Sequence, residues 1–380
     1  MRIAFNGQRL AGQPFGVGRY LEYLLRYWNE QLADGEELSL FLRQPLGEKL
    51  AGAWPRIRTV VLESGMSGLP WETLRLGPAA ADHDVLFCPA YSAPLGYRGP
   101  LVVATHSVNE TEPQAHSWMY RQTYARLYKH CARRADAVIV PGERTRKAVH
   151  DYYGVPDRRL HIVHQGADEA FHPMDDQPQL LTATRKRFFG SDRPYLLFVG
   201  KGSPRRNIPM LIEAFARLRT EGKWPHGLLL FGPYKGDVPF EKLIHDLGLE
   251  ADVVQTEGVV DSHADLAPIY AAADIFIHPS ENEGWSMTTT EAMAAGTAVI
   301  AANRGGLGEV ADGHAFMIEP SVETLVDAIR TILSDDALRA DLRRKARERG
   351  EALRWGKLAL QTLDVVRDVG NARKGYVDAG

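Results

Sequence analysis

Short, unbroken apolar runs recur along the chain, and they constrain its fold more than any other feature. Residues 2–5, 38–42, 59–62, 85–87, 101–104, 135–140 and 160–163 make up a first set; 195–200, 228–233, 253–260, 273–277 and 297–300 make up a second. Most lack the in-and-out alternation of a sheet with one wet face, so they are predicted to be strands buried on both sides. Helical periodicities fall between and after them, at 19–32, 117–134, 211–218, 325–333, 337–353 and 355–369. Strand and helix in alternation predict an α/β fold with parallel sheets.

A chain of 380 residues exceeds one ordinary core and predicts two domains of about 180 residues each. Pro173, Pro178 and Pro194 stand among charged residues with little apolar periodicity. The expected division is therefore a first domain over 1–173, a linker over 174–194, a second domain over 195–353 and a last helical segment over 354–380. Hydrophobic residues at 44% and charged residues at 24% describe a globular chain. A net charge of -3 provides no general field for nucleic acid. Two cysteines, Cys88 and Cys131, argue against a disulfide framework or a cysteine zinc site. The opening MRIAFNGQRL is unlike a signal peptide. No apolar stretch reaches the roughly 20 residues that span a bilayer, and a cytoplasmic protein is expected.

The stretch 278–309, HPSENEGWSMTTTEAMAAGTAVIAANRGGLGE, follows one of these runs and concentrates polar groups where a parallel strand would deliver them to a ligand. Glu283 lies on a loop with Ser280, Asn282, Gly284 and Ser286. Thr288 and Glu291 have capping-box spacing, which predicts a helix running to Gly296 and also offers a purely structural reading of Glu291. Two carboxylates eight positions apart beside exposed amides suit a hydroxyl-rich, anionic ligand such as a nucleotide sugar.

Other candidates sit at comparable positions. Gly12, Gly16 and Gly18 punctuate a loop before the first helix, and Gly16-Val17-Gly18 would offer amides to phosphate. After the run ending at Gly200 come Lys201, Arg205 and Arg206, three cations at a strand end before a helix, a plausible pyrophosphate site. His106 ends the run 101–104. Asp82-His83-Asp84 has the form of a metal-binding pair but supplies too few oxygens, so it is read as a solvated turn and no metal is assigned. Residues 117–134 form a basic helix with Tyr120, Tyr124, Leu127 and Cys131 on one stripe; a solvated face is the plainer reading, and peripheral contact with anionic lipid at the inner membrane face the sharper one.

The residues Pro279-Ser280, Glu283-Gly284-Trp285, Glu291-Ala292-Met293-Ala294, Gly296 and Val299-Ile300 resemble the Glu-X7-Glu signature of retaining GT-B glycosyltransferases of family four. Gln165-Gly166-Ala167-Asp168 with Phe171-His172-Pro173 resembles the phrase that closes the first domain in that family. The resemblance implies two Rossmann-like α/β/α domains facing across a cleft, an acceptor side in the first and a donor side in the second. It also implies that the last helix crosses back to the first domain. It assigns Glu283 to the donor sugar and Glu291 to the ribose. Lys201 and Arg206 fall to the leaving diphosphate, with the family's usual Arg and Lys order exchanged, and His106 to the sugar, with Ser107 where aspartate is usual. Gly16, Val17, Gly18, Gly200, Val259, Gly284, Trp285, Ser286 and Met287 would line the donor. Ser286 and Thr288 stand where glycine and proline are common in the family.

The implied activity is metal-independent, cofactor-free transfer of a mannosyl- or glucosyl-type group from a UDP-sugar or GDP-sugar, with retention. The acceptor would be a glycan or a lipid-linked glycan, as in polysaccharide or lipopolysaccharide assembly. A nucleotide-sugar epimerase, a pyridoxal-dependent glycan phosphorylase and a non-catalytic nucleotide-sugar binder are the alternatives.

Overall fold

The structure, a computed structural model, describes residues 1–10, 16–108, 118–233 and 240–377, without the side chains of 120 and 373–377. Gly12, Ser117 and the Tyr120 side chain therefore lie outside the described residues. The chain divides into two compact units, Met1–Gln165 with Trp355–Gly380, and Gly166–Arg354.

In the first unit, β1 (Arg2–Asn6), β2 (Glu37–Leu42), β3 (Ile57–Val61), β4 (Val85–Cys88), β5 (Leu101–Ala104), β6 (Ala137–Val140) and β7 (Leu160–Ile162) form one sheet. Its order is β3-β2-β1-β4-β5-β6-β7, and every pairing is parallel. The central strands are the most uniformly apolar: β4, β5 and β6 are buried at every position, whereas the edge strand β3 exposes Arg58 and Thr59. Chain direction across the sheet reverses between β1 and β4, which makes their carboxyl ends the natural ligand position.

Helix α1 (Val17–Gln31) covers this sheet. Helix α2 (Trp118–Arg134) buries Tyr128 and Cys131 but leaves Trp118 and Met119 exposed and Tyr124 partly so, a narrower stripe than the sequence periodicity suggests.

The second unit repeats the plan. Helix α3 (Pro178–Phe189) occupies much of the segment 174–194 expected as a linker; it stops at Gly190, whose φ of 69° closes the helix in the left-handed region. Strands β8 (Tyr195–Val199), β9 (Gly227–Phe231), β10 (Val253–Thr256), β11 (Ile275–His278), β12 (Ala298–Ala302) and β13 (Phe316–Ile318) pair in parallel in the order β10-β9-β8-β11-β12-β13. The reversal here lies between β8 and β11.

Helix α4 (Ile208–Thr220) buries Leu211, Ile212 and Phe215 against the sheet. Helices α5 (Met287–Ala294), α6 (Gly305–Ala311), α7 (Val322–Ser334) and α8 (Asp336–Ala352) follow. Strand β10 stops at Thr256, short of the expected 260, because Gly258 turns at φ 68°. The short elements β13 and α6 were not anticipated.

The last helix, α9 (Trp355–Val377), belongs to the first unit and packs on α1. Trp355 stacks on Tyr23 at 5.3 Å, Trp28 donates from Nε1 to the Ala359 carbonyl at 2.8 Å, and Arg367 pairs with Glu36 at 2.7 Å.

Candidate active site

At the reversal in the second sheet, three adjacent strand ends are closed by glycine. A Cβ on Gly200, which has φ 149°, would lie 2.1 Å from Arg206 Nη1. One on Gly232 would lie 2.0 Å from the Gly200 carbonyl oxygen, and one on Gly258 2.5 Å from the Gly232 Cα. Backbone therefore packs directly on backbone at the carboxyl ends of β8, β9 and β10, an approach no other residue permits.

Beyond β8 the chain carries Lys201, then a 3-10 turn over Pro204–Arg206. Asn207 at φ 51° reverses direction before α4. Its amide Nδ2 donates to the Pro279 carbonyl at 2.9 Å and to Glu281 Oε1 at 2.8 Å, and Glu281 N donates to the Arg205 carbonyl at 2.8 Å. These bonds tie the loop after β8 to the loop after β11.

Glu283 is the carboxylate at that junction. Its Oε1 lies 2.7 Å from Arg205 Nη1, 3.3 Å from Arg206 Nε and 3.5 Å from His278 Nε2. Arg205 Nη1 also donates to the Asn282 carbonyl at 2.5 Å, and Arg206 Nη1 to the Lys201 carbonyl at 3.0 Å. The Glu283 backbone is held from the other side, its carbonyl accepting from Gly306 N at 2.7 Å. Burial opposes the charge on Glu283, but Arg206, His278 and Arg205 more than offset it and hold the carboxyl well below the usual carboxylate range.

His278 moves down from its ordinary value because it is buried, with only part of that restored by Glu283. Its Nδ1 faces the Ser286 and Thr289 hydroxyls, each at 3.0 Å, which turns the other ring nitrogen, Nε2, toward Glu283 at 3.5 Å. Arg205 is marked in the sequence only as one of three cations, and nothing there singles out His278. Lys201 is exposed.

Ser286, not Thr288, caps α5: its Oγ accepts from Thr289 N at 3.2 Å. The expected Thr288 and Glu291 capping box is therefore corrected. The extra hydroxyl at position 286 turns inward to His278 and Thr289, leaving the Glu283 and Gly284 loop unobstructed by it. Met287 is the first helical residue, Trp285 is buried, and Val259 is exposed beyond the glycine turn. Glu291 is freed from a capping role and is buried, with Oε2 accepting from the Tyr270 hydroxyl at 2.8 Å and Oε1 3.3 Å from His263 Nε2.

The first unit has its own cluster at the reversal between β1 and β4. Gly18 lies in the first turn of α1, and Gly16 is the turn residue that precedes it, the N-cap at φ 48°, without a side-chain cap. That leaves the first-turn amides, including those of Val17 and Gly18, suited to an anion.

His106 is enclosed. One ring nitrogen, Nε2, lies 2.7 Å from the Pro89 carbonyl and the other, Nδ1, 2.8 Å from Gln165 Nε2. Tyr20 and Tyr91 meet its ring edge-on at 4.7 and 5.4 Å. Burial pushes its pKa down to about 4, the Pro89 hydrogen bond opposing. Both nitrogens are thus engaged within the unit, and Gln165 is the orienting partner that sequence reading lacked.

Near the carboxyl ends of β1 and β4, Glu72 is buried, its Oε1 accepting from Asn6 Nδ2 and Ser92 Oγ, both at 2.9 Å, while its Oε2 has no hydrogen-bond partner among the described residues. Burial raises its pKa against those two bonds and Arg9. No motif marks Glu72. Asp84 closes the start of β1 by accepting from Arg2 N at 2.7 Å, and among the described residues no three metal-ligating side chains come together. No helix among the described residues is long and apolar enough to cross a membrane.

Two family models match the chain: Glycosyl transferases group 1 over residues 182–349 and Glycosyltransferase Family 4 over 15–171. A D-inositol 3-phosphate glycosyltransferase of Kineococcus radiotolerans is 31% identical over 61% of this chain and 57% of that protein. An MMP alpha-(1->4)-mannosyltransferase of Mycolicibacterium hassiacum is 28% identical over 70% of this chain and 64% of that protein. The chain thus spans little more than half the length of the first of these curated relatives.

Among solved structures, a sucrose-phosphate synthase from Thermosynechococcus elongatus superposes with TM-score 0.78 at 23% identity, covering 98% of this chain and 99% of that one. HepE of Anabaena, solved in complex with UDP-glucose, superposes with TM-score 0.79 at 20% identity, covering 97% of this chain and all 100% of its own. These likenesses show the fold, two α/β units each built on a parallel sheet.

Proposed function

Because the chain belongs to the group 1 glycosyltransferases of GT-B fold, we propose that it is a retaining hexosyltransferase using a nucleoside-diphosphate sugar. The acceptor would be a polyol, a glycan or a lipid-linked glycan. The observation that carries the reading is Glu283, kept ionised at the reversal of the second sheet by Arg205, Arg206 and His278 beside a floor of glycine backbone. A carboxylate and two guanidiniums in one pocket suit a substrate that develops positive charge at its anomeric carbon and negative charge on its departing diphosphate.

In the reaction the bond between the anomeric carbon and the diphosphate oxygen breaks, its electron pair leaving with the diphosphate. The acceptor oxygen bonds the same carbon, and its proton passes to the departing phosphate. Arg206, with the exposed Lys201 beside it, offsets the leaving charge, and Glu283 positions the sugar and faces the cationic carbon. No step assigned to these residues calls on a metal or an added cofactor. Within the first unit, the open amides of α1 suit a phosphate, and His106, both nitrogens engaged, acts as a positioning residue for the loop after β4. The curated relatives named above, a D-inositol 3-phosphate glycosyltransferase and an alpha-(1->4)-mannosyltransferase, support an acceptor with free hydroxyls.

The test is turnover of a UDP-sugar and GDP-sugar panel with and without polyol and glycan acceptors, reading nucleoside diphosphate release and the anomeric configuration of the product by NMR. Acceptor-dependent release with retained configuration is expected. Sugar interconversion without acceptor, or an inverted product, would overturn the reading.

A further inference from the structure

Glu291 sits deeper than a residue that only meets a ligand needs to, and three other side chains account for its position. Tyr270 holds Oε2 through its hydroxyl at 2.8 Å; His263 Nε2 stands 3.3 Å from Oε1. Phe171 packs against both of these, its ring 5.2 Å from that of His263 and 5.7 Å from that of Tyr270. His263 is itself set by a capped turn, with Ser262 N donating to Asp265 Oδ2 at 2.8 Å and Ser262 Oγ accepting from Ala264 N. Its side chain keeps 16% of its exposure while that of Glu291 keeps 2%. The histidine is therefore the more exposed of the two.

We propose that His263 and Tyr270 are positioning residues that aim Glu291 at the ribose of the nucleotide, with Phe171 as the wedge that keeps both in register. The inference rests on the nucleotide-sugar reading given above.

A carboxylate offers about four acceptor positions, so the Tyr270 hydrogen bond at Oε2 and the His263 contact at Oε1 are compatible with ribose hydroxyls at the same group. The two bonds fix which lone pairs remain and in which plane. Without the Tyr270 hydroxyl or the His263 ring, the carboxylate loses a contact that sets its plane, and the pair of hydroxyls meets it in a less defined orientation. This also gives a physical role to Phe171, which reads in the sequence only as part of a recurring phrase: its ring carries the aim of the ribose-reading carboxylate. Unlike a general loss of packing, such a defect is confined to ligands that possess the hydroxyls.

The experiment is calorimetric titration of UDP and GDP, each against its 2′,3′-dideoxy form, into the native chain, His263→Ala and Tyr270→Phe. Tyr270→Phe keeps the ring that packs on Phe171 and Phe276. The native protein is expected to prefer the ribose form of the nucleotide it uses. Each variant is expected to lose about tenfold in affinity for that form, the order expected when a hydrogen bond to a charged group is lost, and to bind the dideoxy form unchanged.

Variants of unchanged melting temperature that keep the native preference would overturn the positioning role while leaving the ribose assignment of Glu291 intact. Equal loss for both forms would reduce His263 and Tyr270 to structural residues and overturn it too. A native protein indifferent to the ribose hydroxyls would remove the ribose assignment itself.

Discussion

The two units place their functional groups at the same topological position and fill it with opposite electrostatics. At the reversal of the second sheet, Glu283, Arg205 and Arg206 are all charged, and the carboxyl is held below its ordinary range. At the reversal of the first, burial works the other way. It keeps His106 neutral down to a pKa of about 4 and raises that of Glu72. The second-sheet cluster pairs opposite charges, whereas in the first unit burial disfavours the charged form of both groups. The lesson is that a shared α/β plan fixes where ligands meet the chain, while the pairing of the few buried ionisable side chains sets what each place can bind.

The contrast is most sharply broken by Glu283→Gln. With charge beside the anomeric carbon gone, kcat is expected to fall by about 100-fold or more, the scale seen when one preorganised electrostatic group is removed; a steady-state assay with saturating donor reads it. Arg206→Gln is expected to cost about tenfold to 100-fold in kcat/KM through the lost charge-assisted contact with the leaving group. His106→Ala should cost about tenfold in kcat/KM, acting through the misplaced loop after β4, with nucleoside diphosphate affinity little changed.

The smallest effect on turnover is expected in the first unit, from Glu72→Gln, since glutamine keeps the shape of a buried acid whose charged form burial disfavours. A raised folded-state pKa means that the native protein's stability is fully present below the ordinary value of 4.5 and declines as pH rises past it. Glu72→Gln should therefore flatten the melting-temperature profile above about pH 5. Glu283 works in the opposite sense. Its depressed pKa stabilises the fold above 4.5 and is lost as pH falls below it, so Glu283→Gln should flatten the acid side.

Much of the fold and of the candidate site is legible in the sequence. The fully apolar runs mark the central strands because strands covered on both faces leave no polar positions to confuse the pattern. Glu283 and Glu291 declared themselves by spacing and by the glycine beside the first. The misses have physical reasons. Strand β13 is three residues long and half-buried at the sheet edge, too short and too wet to show a pattern. Helix α6 opens on Gly305 and Gly306, which read as loop; they are there because a Cβ would strike the Glu283 and Gly284 backbone, 2.7 Å away for the first and 2.1 Å for the second.

Arg205 was counted with its neighbours as cationic, but its reach to Glu283 depends on Asn207 adopting a left-handed turn, which no spacing rule reveals. The capping box at Thr288 lost to Ser286 because the serine hydroxyl serves the helix end and His278 together. Glu72 lies far in sequence from Asn6 and Ser92, and only the folded first sheet brings them together.

Arg206 and Glu283 are expected to have opposite effects on the diphosphate while both serve the reaction. The most direct measurement is calorimetric titration of UDP and GDP into the native chain, Arg206→Gln and Glu283→Gln, alongside turnover of the corresponding sugar donors. Diphosphate affinity is expected to fall in Arg206→Gln and to hold or rise in Glu283→Gln, where the competing carboxylate charge is gone, while turnover falls in both. Native diphosphate affinity in Arg206→Gln, or native turnover in Glu283→Gln, would contradict this.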